Sequence, residues 1–161
     1  MSIHDDLNLY LRARVPMIVL VTVEEQRALE VLNEVRIGRD AYARYDVDTW
    51  DIGKGRASRD GRSMPTAATP DAALDKIAEL ARANPNRKDL YVLKDFHEFW
   101  HRSPAVKRKL RNLAHGLVST YSSLVVTTHS HDVPAELGDD VVVLDMPLPG
   151  LQDLRADLDM L

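Results

Sequence analysis

The run Met17-Ile18-Val19-Leu20-Val21-Thr22 is apolar up to its closing threonine and rich in β-branched side chains. A sheet with one wet face would point alternate side chains of such a run into water, so the run needs cover on both faces. That condition is met by a parallel sheet sandwiched between helices, and parallel neighbours require helical crossovers. The rest of the chain offers the parts. Ile3, Leu7, Tyr10 and Leu11 recur at helical spacing, with Asp5 and Asp6 near the start where the helix dipole favours acids, and Pro16 ends that helix. Thr22 and Glu25 stand in capping-box relation ahead of a stripe of Ala28, Leu29, Leu32 and Val35, which Gly38 stops. Residues 45–50 alternate large side chains with Asp46 and Asp48, as an edge strand would.

Residues 52–69 are rich in Gly, Ser, Arg and Asp and have no apolar period, so a mobile loop that adds nothing to the core is expected there. Thr69-Pro70 then opens a helix on Leu74, Ile77, Ala78 and Ala81, closed by Asn84-Pro85-Asn86. Residues 90–96 form a third strand, and Ser103-Pro104 starts a helix on Val106, Leu110, Leu113 and Leu117. Strands at 123–128 and 141–145 follow, and Leu151, Leu154, Leu158 and Leu161 predict a final amphipathic helix. Five strands alternating with helices predict a three-layer αβα domain over 1–161 with a mostly parallel sheet.

Composition narrows the chemistry. The chain has no cysteine, which removes disulfides, thiolate catalysis and cysteine zinc sites. A formal net charge of -4 gives no overall attraction for a polyanion. The amino terminus has neither a basic region nor an apolar stretch, and the longest apolar run is far short of a membrane span. A cytoplasmic protein is expected.

In a doubly wound sheet, chemistry sits just past the carboxyl ends of the strands. After the first strand a phosphate-binding loop would read GxxxxGK[ST]; this chain reads Thr22-Val23-Glu24-Glu25-Gln26-Arg27. It lacks the glycines for close approach and the lysine, and two carboxylates occupy the place of phosphate charge. The third strand ends in Lys94-Asp95-Phe96, where a Walker B strand places its magnesium-binding acid, so Asp95 is a candidate relic of a cofactor site. Without a phosphate cradle, capping of the next turn is the plainer role for this carboxylate.

His97-Glu98-Phe99-Trp100-His101 matches HExxH, two imidazoles four apart with a general base between them. That motif needs a stable helix, whereas here it follows a buried strand and meets Ser103-Pro104 at once, so a short turn with Phe99 and Trp100 packed down is expected. His129 and His131 after the fourth strand complete the candidate metal ligands with His97 and His101, but no metal is expected. A receiver domain is excluded because Asp145-Met146-Pro147-Leu148-Pro149 replaces its lysine. Lys107, Arg108, Lys109 and Arg111 form a basic helix face, candidate interaction residues for the acidic surfaces of Asp5, Asp6, Glu24, Glu25, Asp139 and Asp140 on a neighbouring copy.

The order of these pieces resembles the amino-terminal domain of the cyanobacterial and chloroplast-encoded "hypothetical chloroplast reading frame" AAA+ ATPases. The likeness runs through Arg12-Ala13-Arg14-Val15-Pro16, Glu24-Glu25-Gln26-Arg27-Ala28-Leu29, Trp50-Asp51 with Gly53, and Leu93-Lys94-Asp95-Phe96-His97. It continues through Lys109-Leu110-Arg111-Asn112-Leu113-Ala114, Pro134-Ala135-Glu136-Leu137 and Asp145-Met146-Pro147-Leu148-Pro149. The polar stretch 54–68 and His101, His129 and His131 lie outside the pattern. The resemblance implies a degenerate RecA-like, P-loop NTPase-like domain with strand order 5-1-4-3-2. In the family it precedes a catalytic AAA+ module that binds ATP and Mg²⁺; this domain itself holds no cofactor. Its partners would be its own or a partner AAA+ core and other copies of itself, with neither membrane nor nucleic acid expected. The catalytic module is not within these 161 residues, so the likeness is to an excised piece or a shortened stand-alone relative.

Three readings follow: a regulatory or assembly module of an AAA+ ATPase, a metal-dependent hydrolase built on His97, Glu98 and His101, and a small nucleic-acid-binding module using the basic helix.

Overall fold

Every residue of β1 (Met17–Val21) and β5 (Ser123–Thr128) is buried, and these strands pair in parallel at the middle of a sheet. The computed structural model describes residues 2–38, 42–59 and 61–147; the leucine-spaced segment 151–161 lies outside them. β4 (Asp89–Lys94) runs parallel to β5, β2 (Asp46–Asp51) parallel to β4, and β6 (Val141–Asp145) parallel to the outer side of β1. β3 (Gly55–Ala57) pairs antiparallel with β2, giving six strands in the order β3-β2-β4-β5-β1-β6. The expected five-strand order 5-1-4-3-2 is thereby corrected. One strand is added outside the second, which is not an edge strand.

The added strand comes from the segment expected to be a core-free loop. No apolar alternation marks Gly55-Arg56-Ala57; charge and one long hydrogen-bond reach hold it instead. Arg56, 6% exposed, pairs with Asp48 through Nη2 at 2.5 Å and donates from Nη1 to Pro65 O at 3.0 Å. The Trp50 indole N–H donates to Ala67 O at 2.7 Å, and Ala67 enters the core. Gly55 has φ +74, and a Cβ there would sit 1.7 Å from Thr66 Oγ1, so only glycine fits this corner.

Helices cover both faces. α1 (Ile3–Arg12) opens on a capping box between Ser2 and Asp5. The Ser2 hydroxyl, bonded to Asp5, holds that carboxyl below its ordinary range. α2 (Glu25–Glu34) has Glu24 and not Thr22 as N-cap, with no side-chain cap bond. The Thr22 hydroxyl instead accepts from the Glu24 N–H at 2.9 Å. α1 and α2 pack Leu7, Leu11, Ala28 and Leu32 on Ile18, Leu20 and Val92. On the other face α3 (Pro70–Ala83), α4 (His97–Arg102) and α5 (Pro104–Leu117) pack on Met17, Val19, Leu93 and Val126. Thr69 and Ser103 cap α3 and α5 with a proline in each first turn. A 3₁₀ helix, Ala135–Asp140, inserts Leu137 into the same core. Among the described residues no helix is long and apolar enough to cross a membrane.

Candidate functional site

The carboxyl ends of β1, β4, β5 and β6 meet at one edge, on an aromatic floor. Trp50, Phe96 and Phe99 contact edge to face at centroid distances of 5.9, 6.1 and 5.4 Å. Here the backbone is spent on itself. Thr22 N–H donates to Thr128 O at 2.7 Å, Asp95 N–H to Thr127 O at 2.9 Å, and Met146 N–H to Val21 O at 2.9 Å. The Glu24 N–H is taken by Thr22 Oγ1. An anion cradle is made of consecutive N–H groups aimed at open space, and this turn has already committed two of them. The α2 amino terminus beyond it carries Glu24 and Glu25, whose charge answers the helix dipole in the place of a phosphate.

Asp95 projects from the end of β4 with φ 53, a left-handed conformation that aspartate tolerates better than most side chains. It is exposed, while the preceding Lys94 Nζ lies 4.0 Å from Asp51 Oδ2. A carboxylate therefore stands exposed just past the carboxyl end of β4.

The HExxH segment forms α4, a six-residue helix and not the expected turn, because Phe96 serves as its N-cap in helical conformation directly off β4. Trp100 is packed down as expected, with Phe99 partly buried. The two motif histidines diverge. His97 is buried, its Nδ1 has no hydrogen-bond partner, and its ring meets that of His129 edge-on at 4.8 Å. Burial, reinforced by the His129 charge, pushes the His97 imidazole below its ordinary pKa. His101 points outward to Asp132 at 3.4 Å, and His131 pairs with Asp145. Of the four candidate ligands the structure brings His97 and His129 together, and gives the other two to carboxylates. No cluster of three or more metal-ligating side chains occurs among the described residues; two imidazoles leave a zinc ion half-coordinated.

The basic face of α5 is partly neutralised from within. Lys107 reaches Glu136 at 3.3 Å, and Lys109 reaches both oxygens of Asp75 at 3.0 and 3.1 Å. Asp75 raises the Lys109 pKa, and Lys107 helps to lower that of Glu136, whose own backbone contributes most. Arg108 is exposed, and Arg111 is partly buried with its Nε unpartnered.

The opposite, amino-terminal edge holds a group absent from the sequence reading. Arg14, past the end of α1, lays its guanidinium 4.3 Å from the Tyr121 ring centroid, and Lys88 Nζ lies 5.8 Å from the same ring. Arg12 joins them around a cavity of about 240 Å³. Arg12 and Arg14 come from the end of α1 and Lys88 from the turn before β4, so no single run in the sequence marks them.

Comparison with known proteins places the chain. A family model described as the SpoVK-like AAA ATPase N-terminal domain matches residues 3–146. The AAA domain-containing protein ycf46 of Guillardia theta is 30% identical over 158 residues, 98% of this chain and 30% of that protein. The ycf46 protein of Pyropia yezoensis is also 30% identical over 158 residues, covering 98% of this chain and 31% of its own length. The chain thus spans about 30% of the length of the curated relatives it matches. Among solved structures, a chain in a structure of Drosophila ORC bound to GC-rich DNA and Cdc6 has a TM-score of 0.50 at 12% identity, over 98% of this chain and 64% of that one. At that identity the likeness is one of fold.

Proposed function

We propose, from the premise that this chain belongs to the family of SpoVK-like AAA ATPase N-terminal domains, that it is a non-catalytic regulatory and assembly domain of an AAA+ ATPase. The observation that carries the reading is the β1–α2 turn. Its Thr22 and Glu24 N–H groups are bonded internally, and Glu24 and Glu25 stand where a triphosphate would lie. Under this reading ATP and Mg²⁺ act only in a separate AAA+ module of the parent protein, and Asp95 is a relic of a metal-binding acid. Residues 1–161 work as one degenerate RecA-like domain, in the cytoplasm, through contacts with an AAA+ core and with other copies.

Calorimetric titration of the chain with ATP and Mg²⁺ tests it. No measurable binding is expected, and no ATPase rate that Asp95→Asn could reduce. A dissociation constant in the low micromolar range would overturn the reading.

A further inference from the structure

The described ion pairs are unevenly distributed. A cavity of about 670 Å³ against β2 and β3 is lined by acids and arginines that satisfy each other, Arg56 with Asp48 and Arg87 with Asp89 at 3.2 Å. The lysines of α5 pair with Glu136 and Asp75. The 240 Å³ cavity at the amino-terminal edge is different. Arg12, Arg14 and Lys88 line it with Tyr121, Ser122 and Ser123, and among the described residues none that lines it is a carboxylate. Among the described residues none of these three cations forms an ion pair. Three like charges held around one cavity in a chain of net charge -4 repel each other, and an anion placed among them relieves that repulsion.

The site is also fixed in place. Its floor is tied by hydroxyls, with Ser122 Oγ donating to Arg87 O at 3.0 Å and Ser123 Oγ to Val15 O at 3.3 Å. Arg14 sits at the residue after the cap of α1, where its N–H bonds Leu11 O and the next N–H, of Val15, bonds Tyr10 O. This helix-ending motif takes glycine by preference, yet an arginine occupies it with φ 59. The strained position aims the guanidinium across Tyr121 at the cavity mouth.

We infer that the Arg12–Arg14–Lys88 cavity is a docking site for a carboxylate-rich segment of a partner protein. Guanidinium groups bind carboxylates through paired N–H donors, whereas the adjacent depression that shares Arg12 also carries Asp5 and Glu34, so the acid is held at the Arg14 and Lys88 side. The cavity is smaller than the roughly 300 Å³ at which small-molecule pockets begin, so it fits a single acidic group and not a nucleotide. Nucleic acid is disfavoured for a second reason. Tyr121 is the exposed aromatic of the site, and Arg14 already covers its ring, leaving that face closed to base stacking. The inference names the partner chemistry of the assembly role proposed above and rests on that role. Its test reads peptide binding, so its failure is separate from the outcome of the ATP titration.

The test is fluorescence anisotropy with a labelled eight-residue glutamate peptide, a glutamine peptide of equal length, and a single-stranded oligothymidine, on the full chain and on Arg14→Gln/Lys88→Gln. The glutamate peptide should bind saturably and weaken with salt, and the double variant should bind it about tenfold less tightly or worse. Lys88→Gln alone, at an exposed position, should retain the far-ultraviolet dichroism of the parent and lose part of the affinity. Equal binding of the glutamine peptide, undiminished binding by the variants, or tighter binding of the oligonucleotide would each overturn the inference.

Discussion

The two ends of the sheet are built on opposite principles. At the carboxyl edge, turn N–H groups bond to neighbouring strands, histidines pair with carboxylates or with each other, and Lys94 leans on Asp51. At the amino edge Arg12, Arg14 and Lys88 surround a cavity whose described lining residues include no carboxylate. In α/β sheets the carboxyl edge is the usual place for ligands. Here the turn N–H groups and the Lys94, His101 and His131 side chains are partnered, with the buried His97 Nδ1 left over, and the cations gathered without ion pairs lie at the other end. A fold therefore indicates where a site can be, while the pairing of individual charges indicates whether one is there.

The sharpest way to break this contrast is to remove the floor of the carboxyl edge. Trp50 is 2% exposed, bonds Ala67 O and packs edge-on against Phe96 and Phe99. Trp50→Ala should cost about 3–5 kcal/mol in urea unfolding, and should release the segment that carries β3. The amino edge lies at the other end of the same strands. If the variant remains folded, glutamate-peptide binding should be retained.

Acid separates the edges in another way. Burial lowers the His97 pKa, with His129 adding to the effect and Asp95 and Glu98 opposing it. The unfolded chain then takes up a proton near the ordinary histidine value, about 6.5, before the folded chain does. Stability from this residue is therefore complete above that pH and falls as pH drops toward the folded value. His97→Gln should flatten the decline in stability between about pH 7 and about pH 5. An unchanged slope in denaturant titrations across that range would contradict the burial.

Much of this architecture was legible from the chain alone, for physical reasons. β1, β4 and β5 are buried on both faces, so their apolar runs are continuous. α3 and α5 carry Thr-Pro and Ser-Pro starts with full apolar stripes. β3 was illegible because Gly55-Arg56-Ala57 is held by one buried ion pair and the reach of Trp50 to a distant carbonyl, neither of which has a period. α4 was misread because its stop signal, Ser103-Pro104, starts the next helix while leaving room for six residues before it. The histidines were visible as candidates, but their pairing depends on which ring is buried. The amino-edge cations were invisible as a group because the end of α1 supplies Arg12 and Arg14 while Lys88 and Tyr121 come from turns far along the chain.

The amino edge can be sharpened at Arg14. A left-handed residue bearing a Cβ carries a cost of roughly 1–2 kcal/mol, offset in glycine by about 0.5–1 kcal/mol of chain entropy. Both Arg14→Ala and Arg14→Gly lose the contact with Tyr121, so their difference isolates the strain. The glycine variant should be the more stable by about 1 kcal/mol, while the two bind the glutamate peptide equally weakly. Equal stability would mean that the position stores no strain.

The smallest effect belongs to Arg108, and it serves as the control for the whole comparison. This residue is exposed on α5, beside lysines that Glu136 and Asp75 already occupy. If positive charge in general attracts acidic partners, Arg108→Glu should weaken peptide binding as much as loss of Arg14, because each removes a cation from the surface. If the effect depends on cations gathered without local carboxylates, Arg108→Glu should leave binding within about twofold of the parent. The screening length near 8 Å at physiological salt keeps a remote surface charge from acting at the amino edge. Its effect on stability should be below about 0.5 kcal/mol, since the substitution neither opens a cavity nor strands a buried group. Parallel anisotropy measurements on Arg108→Glu and Arg14→Gln at two salt concentrations distinguish the alternatives, and a common loss with a common salt slope would reduce the amino-edge site to bulk electrostatics.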